Sequence, residues 1–337
     1  MNKKIRTWGL WLSLFVILLL LAGVFSFFTG PAGISPAEVF RTISEGAGTT
    51  EHAILFEIRL PRVLLGFAIG GALGLAGVIL QGMFRNPLVE PYTLGISGGA
   101  ALGVCLNVIT GLNNVSVLSL PLSGFAGAAA SIIFVYFLSI RSGILKIHTL
   151  LLMGVMISFI SSSLIMLTLS VTRTENLHGI IFWIMGSLEE PSRELIKLAV
   201  LVSVAGLAVS YLFCLDLNAF ALGEEESRHL GVNTERTKRL LFGLASVLTG
   251  MSVSVAGVIG FVGLVVPHFV RMFVGGDHRI LLVSSFIAGA IFLILCDTLA
   301  RIVISPMELP VGVLTGILGG VVFIYAMMRK SGSIRGG

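Results

Sequence analysis

The sequence predicts an all-α, polytopic membrane protein with about ten transmembrane helices and both termini in the cytoplasm. Three observations support this fold class: of the 337 residues 55% are hydrophobic, only 12% are charged, and the mean hydropathy is +1.02. Soluble globular proteins carry about 25% charged residues, and one spanning helix needs roughly 20 apolar residues. The composition therefore excludes a soluble enzyme, a disordered chain and a collagen-like fibre.

The first predicted helix follows a basic start and runs from Trp8 to Phe28. A signal peptide has a shorter apolar core and a small-residue cleavage site, and this segment has neither. We therefore predict a retained helix that begins in the cytoplasm. Further apolar segments lie at about 63–83, 92–112, 118–140, 150–171, 195–215, 281–300 and 309–328.

The apolar stretch from about 240 to 275 is too long for one crossing. A helix of that length would measure roughly 50 Å, whereas the hydrocarbon core of a bilayer is about 30 Å thick. Two crossings joined by a tight, glycine-rich bend are therefore expected, which brings the total to ten. The residues that interrupt the stretch are Gly257, Gly260, Gly263 and Pro267.

The distribution of basic residues favours ten crossings. Cytoplasmic loops are enriched in Lys and Arg, and this topology places fifteen of the 22 basic residues inside. A topology with nine crossings would move the C-terminal Arg329, Lys330 and Arg335 to the outside. The basic residues predicted to lie outside are Arg41, Arg59, Arg62, Arg173, Arg193, Lys197 and Arg301.

The sequence carries no motif for catalysis, for a bound cofactor or for ATP binding. None of its lysines follows a glycine, so the phosphate-binding loop G-x-x-x-x-G-K-[ST] is absent, and any ATP hydrolysis would belong to a partner subunit. The histidines form no i, i+4 pair and the cysteines form no C-x-x-C, so no metal site is predicted. No basic run alternates with aromatic residues as single-strand binding requires, so no nucleic-acid partner is expected.

Small residues and one charge pair stand out within the predicted spans. Glycines recur at a spacing of four, which favours close helix packing over a role in a pore wall. Asp297 precedes Arg301 by four residues, so the two can pair on one helix face. The span interiors otherwise lack carboxylates, which argues against a proton-coupled carrier. The recurring glycines are Gly66, Gly70 and Gly74, and Gly312, Gly316 and Gly320.

Four local patterns occur in order along the chain. Together they resemble the permease family of type II ABC importers for iron-siderophores, haem or cobalamin, over essentially the whole chain. The family usually has Gly-Ala-Pro where Gly319, Gly320 and Val321 stand here, and the missing proline predicts a straighter last helix. The patterns are Arg59-Leu60-Pro61-Arg62 leading to Asn86-Pro87-Leu88-Val89-Glu90-Pro91, Leu222-Gly223-Glu224-Glu225-Glu226 with Leu230-Gly231-Val232, Gly257-Val258-Ile259-Gly260-Phe261-Val262-Gly263 with Pro267-His268, and Glu308-Leu309-Pro310-Val311-Gly312.

The resemblance implies a single transmembrane permease domain over residues 1–337 and a defined set of partners. These partners are a second copy of the chain, two copies of an ABC ATPase subunit, an extracytoplasmic substrate-binding protein and membrane lipid. In similar permeases, arginines on the outer side pair with glutamates of the binding protein, and the matching positions are Arg59, Arg62 and Arg301. Interfacial snorkelling, or the Asp297–Arg301 pair, is the alternative role for these arginines.

The resemblance also implies a coupling segment and a cytoplasmic gate. The predicted inside loop 216–239 matches the segment that contacts the ATPase; its acidic first helical turn suits the helix dipole, and a merely solvated loop is the alternative. The proline of the predicted gate blocks continuation of a helix. The coupling residues are Leu222, Gly223, Glu224, Glu225, Leu230 and Gly231, and the gate residues are Asn86, Pro87, Leu88, Ile147 and His148.

The function implied is that of a transport subunit rather than an enzyme. The permease of an ATP-driven importer would move a chelated metal compound from a binding protein through a bacterial inner membrane into the cytoplasm. An iron-siderophore or haem is preferred to cobalamin because iron chelates are the commoner cargo of similar proteins. The alternative is a secondary transporter driven by an ion gradient, against which the sparse carboxylates and the coupling segment argue.

Overall fold

The computed structural model describes residues 2–46, 48–141, 143–172, 174–190 and 192–334. Arg173 and Arg335, counted in the predicted charge distribution, lie outside the described residues. Within these ranges the only strands form a short antiparallel hairpin of β1 (Ile140–Arg141) and β2 (Ile144–Leu145). The helices are α1 (Asn2–Phe28), α2 (Pro36–Glu45), α3 (Thr50–Ala53), α4 (Leu60–Phe84), α5 (Ile96–Thr110), α6 (Ser119–Ser139), α7 (Ile147–Val171), α8 (Thr174–Met185), α9 (Arg193–Leu212), α10 (Cys214–Phe220), α11 (Glu224–His229), α12 (Thr234–Ala256), α13 (Val262–Val274), α14 (His278–Ile302) and α15 (Val311–Ile334).

The helix lengths confirm an all-α, polytopic membrane protein. Among the described residues, seven helices are long and apolar enough to cross a membrane. The other three predicted crossings appear as the shorter apolar helices Ile96–Thr110, Val262–Val274 and Val311–Ala326. A further short apolar helix, Asn176–Met185, lies in the segment 172–194 that the sequence predicts to be an outside loop.

The second crossing helix begins well before the predicted residue 63. Helix α3, a π-helical segment Ile54–Arg59 and α4 form one continuous helix from Thr50 to Phe84. The π segment leads into Pro61, which has no N–H to donate and is tolerated in the first turn of α4. Arg59 and Arg62 therefore lie on a helix and not in a loop, which corrects the sequence-based boundary.

Helix α4 forms the centre of the bundle. In the Thr50–Phe84 helix, 83% of an apolar stretch of 18 residues is buried inside the bundle. The helices that cover it are mainly α14, α12, α9 and α13. A Cβ atom added to Gly70 would strike the carbonyl oxygen of Gly289 in α14. This confirms the close packing predicted for the first glycine series. The second series forms no continuous ridge, because a Cβ added to Gly316 would have no heavy atom within 4 Å.

Helices α1 and α7 lie at the periphery of the bundle. Of an apolar stretch of 18 residues in each helix, only 11% is buried in α1 and 17% in α7. Helix α15, which runs without interruption past residues 319–321, also presents exposed apolar side chains such as Ile317, Val321 and Ile324. Lipid tails are as apolar as these side chains, so such faces suit a bilayer or a second apolar surface.

The predicted glycine-rich bend separates α12 from α13. Gly257 has a positive φ of 67° and lies against the Trp183 carbonyl, where a Cβ would not fit. The backbone N–H of Ile259 donates to the Tyr92 hydroxyl at 3.3 Å, and the N–H of Phe261 donates to the Glu90 carboxylate at 2.5 Å. These side chains satisfy backbone groups that lipid could not, so the chain can leave the helical conformation here.

The first predicted outside segment contains the predicted helix start. The Ser35 hydroxyl accepts the Glu38 N–H at 3.3 Å, and the Ser35 N–H donates to the Glu38 carboxylate at 2.7 Å. This reciprocal cap begins α2 at Pro36. The N–H of Ser35 stabilises the charged carboxylate, which lowers the pKa of Glu38.

Candidate functional site

Hydrogen bonds and ion pairs gather the helix ends into two separate charged clusters. At the first, called the Asp277 end, Asp277 binds Lys4 of α1 at 3.3 Å, Asn218 of α10 at 3.1 Å and Arg279 of α14 at 2.7 Å. The Arg279 guanidinium and the Asn218 amide hold the pKa of Asp277 well below its usual range. The second cluster, called the Arg301 end, lies at the opposite end of α14. Lys4 and Arg279, which are predicted to lie inside, are therefore at the opposite end of the bundle from Arg301, which is predicted to lie outside. Which end faces the cytoplasm stays a prediction.

Asp297 pairs with two guanidinium groups at the Arg301 end. Its Oδ2 lies 3.0 Å from Arg301 Nε, and its Oδ1 lies 3.3 Å from Arg62 Nε. Arg301 also donates to the Thr29 carbonyl at 3.1 Å and to the Ser26 hydroxyl at 2.8 Å. The side chains of Asp297 and Arg301 are each 2% exposed. The predicted Asp297–Arg301 pair is confirmed, and it also binds the end of α1 to α14.

Arg62 and Arg59 complete this cluster and are also buried. Arg62 Nη1 lies 2.7 Å from Glu308 Oε2. Arg59 donates to the carbonyls of Phe27 at 3.0 Å and Ala32 at 2.8 Å. Arg59 is 2% and Arg62 6% exposed, whereas the Glu308 side chain is 35% exposed. Solvent therefore reaches the cluster chiefly at Glu308.

The three arginines predicted to dock a binding protein lie together, but none projects from the surface. A direct contact requires accessible guanidinium donors, and those of Arg59, Arg62 and Arg301 bind acceptors within the chain. The docking role stays a prediction, and in this conformation the three guanidinium groups are not accessible for a direct contact. Glu308 was not predicted as a partner of Arg62, because 246 positions separate the two residues and no local pattern links them.

The predicted coupling helix forms as α11, between two exposed leucines. Leu222 is 64% exposed and Leu230 63% exposed. Gly223, with a φ of +136°, precedes the helix, and Gly231, with a φ of +87°, follows it. Glu224 in the first turn binds Arg228 one turn later at 2.7 Å. The local signals for this helix are confirmed, while its contact with an ATPase stays a prediction, as does the role of the exposed Glu225.

Most of the predicted gate lies at the same end as α11. Asn86, Ile147 and His148 line a cavity of ≈ 870 Å³, together with Glu224 and Arg228 of α11. The predicted coupling and gate segments therefore border one space. The gate function itself stays a prediction.

The other two predicted gate residues face elsewhere. Pro87 lines a separate cavity of ≈ 540 Å³ with His268, Arg271 and Tyr325. Leu88 is 51% exposed, and its N–H donates to the Asn86 side-chain oxygen at 3.0 Å. The gate loop thus forms a compact turn between the two cavities.

In the described ranges, no group of three or more His, Cys, Asp or Glu side chains is placed to hold a metal ion. The cysteines Cys105, Cys214 and Cys296 are buried and free.

Comparison with known proteins gives matches along most of the chain. The model of the FecCD transport family matches residues 18–329. The hemin transport system permease protein HmuU of Yersinia pestis is 37% identical over 334 residues, which cover 98% of each chain. The cobalamin import system permease protein BtuC of Halobacterium salinarum is 39% identical over 285 residues, 85% of this chain and 76% of the relative. A solved structure described as an inward-facing conformation of a metal-chelate type ABC transporter has a TM-score of 0.84 at 30% identity, over 94% of this chain and 98% of that chain.

Proposed function

Since the chain belongs to the FecCD transport family, as a multi-pass ABC importer permease of the inner membrane, we propose that it carries an iron-siderophore or haem into the cytoplasm. Cobalamin is the second cargo to be tested. The observation that supports haem is the similarity to a hemin permease over 98% of both chains. The cargo would arrive on an extracytoplasmic binding protein, and a partner ATPase would supply the energy.

The subunit arrangement that we propose is two copies of the chain with two copies of the ATPase. The exposed apolar faces of α7 and α15 offer surfaces for a second copy. The exposed Leu222 and Leu230 on either side of α11 offer a surface for the ATPase. A carrier driven by an ion gradient receives less support, because Asp297 is held by two guanidinium groups and the Glu90 carboxylate is held by the backbone N–H of Phe261.

The proposal is tested by uptake into proteoliposomes that contain the chain, its ATPase and its binding protein. Haem, a ferric siderophore and cobalamin are offered separately. ATP-dependent uptake of haem or the siderophore supports the proposal, whereas uptake of cobalamin alone overturns the cargo assignment. Uptake that follows an ion gradient without the ATPase overturns the mechanism.

We expect Leu222→Glu to abolish the stimulation of ATP hydrolysis by the loaded binding protein. Leu222 is 64% exposed and apolar, and a carboxylate buried in an ATPase groove would cost several kcal/mol. Leu222→Met keeps the apolar contact and serves as the matched control. Gly223 is a less suitable site, because its positive φ makes any substitution strain the turn. Normal stimulation in Leu222→Glu would contradict the coupling role.

For docking, we propose that a carboxylate of the binding protein takes the place of Glu308 on Arg62. Glu308 is the exposed partner of that buried guanidinium, and a cavity of ≈ 370 Å³ is lined by both residues. Glu308→Gln should therefore raise the affinity for the binding protein several-fold, since it removes a competing negative charge. Glu57→Gln, at an exposed glutamate paired with Arg193, is the matched control. Equal or weaker binding by Glu308→Gln would count against this exchange.

A further inference from the structure

Lys238 is a buried ammonium group at the junction of three segments. Its side chain is 2% exposed, although it lies only one turn into α12. The Nζ atom lies 3.1 Å from Glu224 of α11 and 2.5 Å from Glu235 of α12. It also donates to the Leu145 carbonyl of β2 at 3.3 Å. One charge therefore joins α11, α12 and the hairpin that precedes α7.

The hairpin is held at both backbone groups of Leu145. The carbonyl of Leu145 accepts a hydrogen bond from Lys238, and the N–H of Leu145 donates to the Glu235 carboxylate at 3.0 Å. Leu145 is 1% exposed, and α7 begins two residues later with Ile147 and His148. A displacement of the first turns of α12 therefore displaces the start of α7.

Helix α11 is joined to this unit through Glu224. Burial of an ammonium group is costly unless charge and hydrogen-bonding partners compensate it. Among the described residues, Glu224 is the carboxylate partner of Lys238 that lies outside α12. If α11 moved alone, the buried Lys238 would lose one of its two carboxylate partners and keep only Glu235 and the Leu145 carbonyl, so the joint movement of α11 and the hairpin is favoured.

Together these contacts point to a role in coupling, which rests on the function proposed above. We propose that Lys238 is a positioning residue that transmits movement of α11 to the gate segment at Ile147 and His148. The same ≈ 870 Å³ cavity is lined by Lys238, Glu224 and both gate residues. A movement passed through Lys238 would therefore change the shape of that cavity directly.

The physical connection is tested on the purified chain alone, without any transport partner. Spin labels are attached at Leu222→Cys and Ile144→Cys, which are 64% and 38% exposed sites, while the native cysteines are buried. A narrow distance distribution between the labels is expected, and Lys238→Met should broaden it. Glu224→Gln should broaden it as well. Because Glu224 is partly exposed, this variant provides the test if Lys238→Met fails to fold. An unchanged distribution in both variants overturns the proposal.

The functional consequence is tested in proteoliposomes with the ATPase and the binding protein. Lys238→Met should keep basal ATP hydrolysis but transport about tenfold less cargo per ATP, a loss typical of a broken allosteric coupling. Lys238→Arg should restore the ratio, because it keeps a cation at the junction. Arg236→Gln removes the same charge from an exposed position of α12 and should leave the ratio unchanged.

A normal ratio of transport to ATP hydrolysis in Lys238→Met overturns the proposal. If the wild-type chain shows no ATP-driven uptake, the proposed function fails instead. The label distances still decide in that case whether Lys238 joins α11 to the hairpin. A merely structural lysine would lower stability without changing the ratio, and that result would also refute the coupling role.

Discussion

Asp297→Asn is expected to lower the free energy of unfolding by about 3–5 kcal/mol, the cost of removing one partner from a buried ion pair. Asp297 lies between Arg62 and Arg301, and its side chain is 2% exposed. Without the carboxylate charge, the buried Arg301 loses its ion-pair partner, and Arg62 keeps only the partly exposed Glu308. Asparagine has nearly the same shape as aspartate, so the lost stability would come from the missing charge and not from a cavity.

The measurement is thermal unfolding of the purified chain in detergent, followed by tryptophan fluorescence. Glu308→Gln is the matched control, because it removes the other carboxylate of Arg62 from a side chain that is 35% exposed. In this control the buried Arg62 keeps Asp297 as its carboxylate partner, and the lost carboxylate is partly hydrated, so the control should melt close to the wild type. Equal melting temperatures for the two variants would show that the burial of Asp297 does not determine how much it contributes to stability.

Gly70→Val is expected to cost about 3 kcal/mol, the upper part of the usual range for overpacking. A Cβ at Gly70 would strike the carbonyl oxygen of Gly289, and a Cβ at Gly289 would strike that of Gly70. Neither obstacle is a side chain that could rotate away. Helices α4 and α14 would have to separate, and the packing along their whole contact would loosen.

Gly243→Val on α12 is the matched control, because a Cβ there would have no heavy atom within 4 Å. It makes the same chemical change in another crossing helix, and it should leave the melting temperature nearly unchanged. Cross-linking between α4 and α14 in membranes provides a second measurement. If Gly70→Val keeps both the wild-type stability and the wild-type cross-linking, the close approach of the two helices is refuted.

Features encoded by neighbouring residues could be predicted from the sequence. The capping box at Ser35 and Glu38 and helix α11 between Gly223 and Gly231 each depend on residues a few positions apart. The glycines after Ala256 likewise predict a bend, although its backbone groups are satisfied by the distant Tyr92 and Glu90. Backbone preferences and local hydrogen bonds determine such features. The pair of Asp297 and Arg301 was predictable for the same reason.

Features that depend on distant partners could not be predicted in this way. Arg59 and Arg62 suggest a polar loop, yet Asp297, Glu308 and carbonyls at and just after the end of α1 allow them to lie buried on a helix. The location of Lys238 in the interior likewise depends on Glu224 and on the hairpin. The structure brings the three predicted docking arginines into one cluster, but their burial depends on the tertiary structure and their docking role stays a prediction.

The buried arginine cluster also has a consequence for how the protein is made. Arg62 is synthesised 235 positions before Asp297 and 246 positions before Glu308. At about 5–20 residues per second, a ribosome needs roughly 12–50 seconds to cover the first of these intervals. During that time Arg62 at the start of α4 lacks both of its carboxylate partners, so its burial in an apolar environment is unfavourable. Closure of this corner of the bundle is therefore among the last events of biosynthesis, and a chain that ends before α14 would retain unpaired charge that membrane quality-control proteases could recognise.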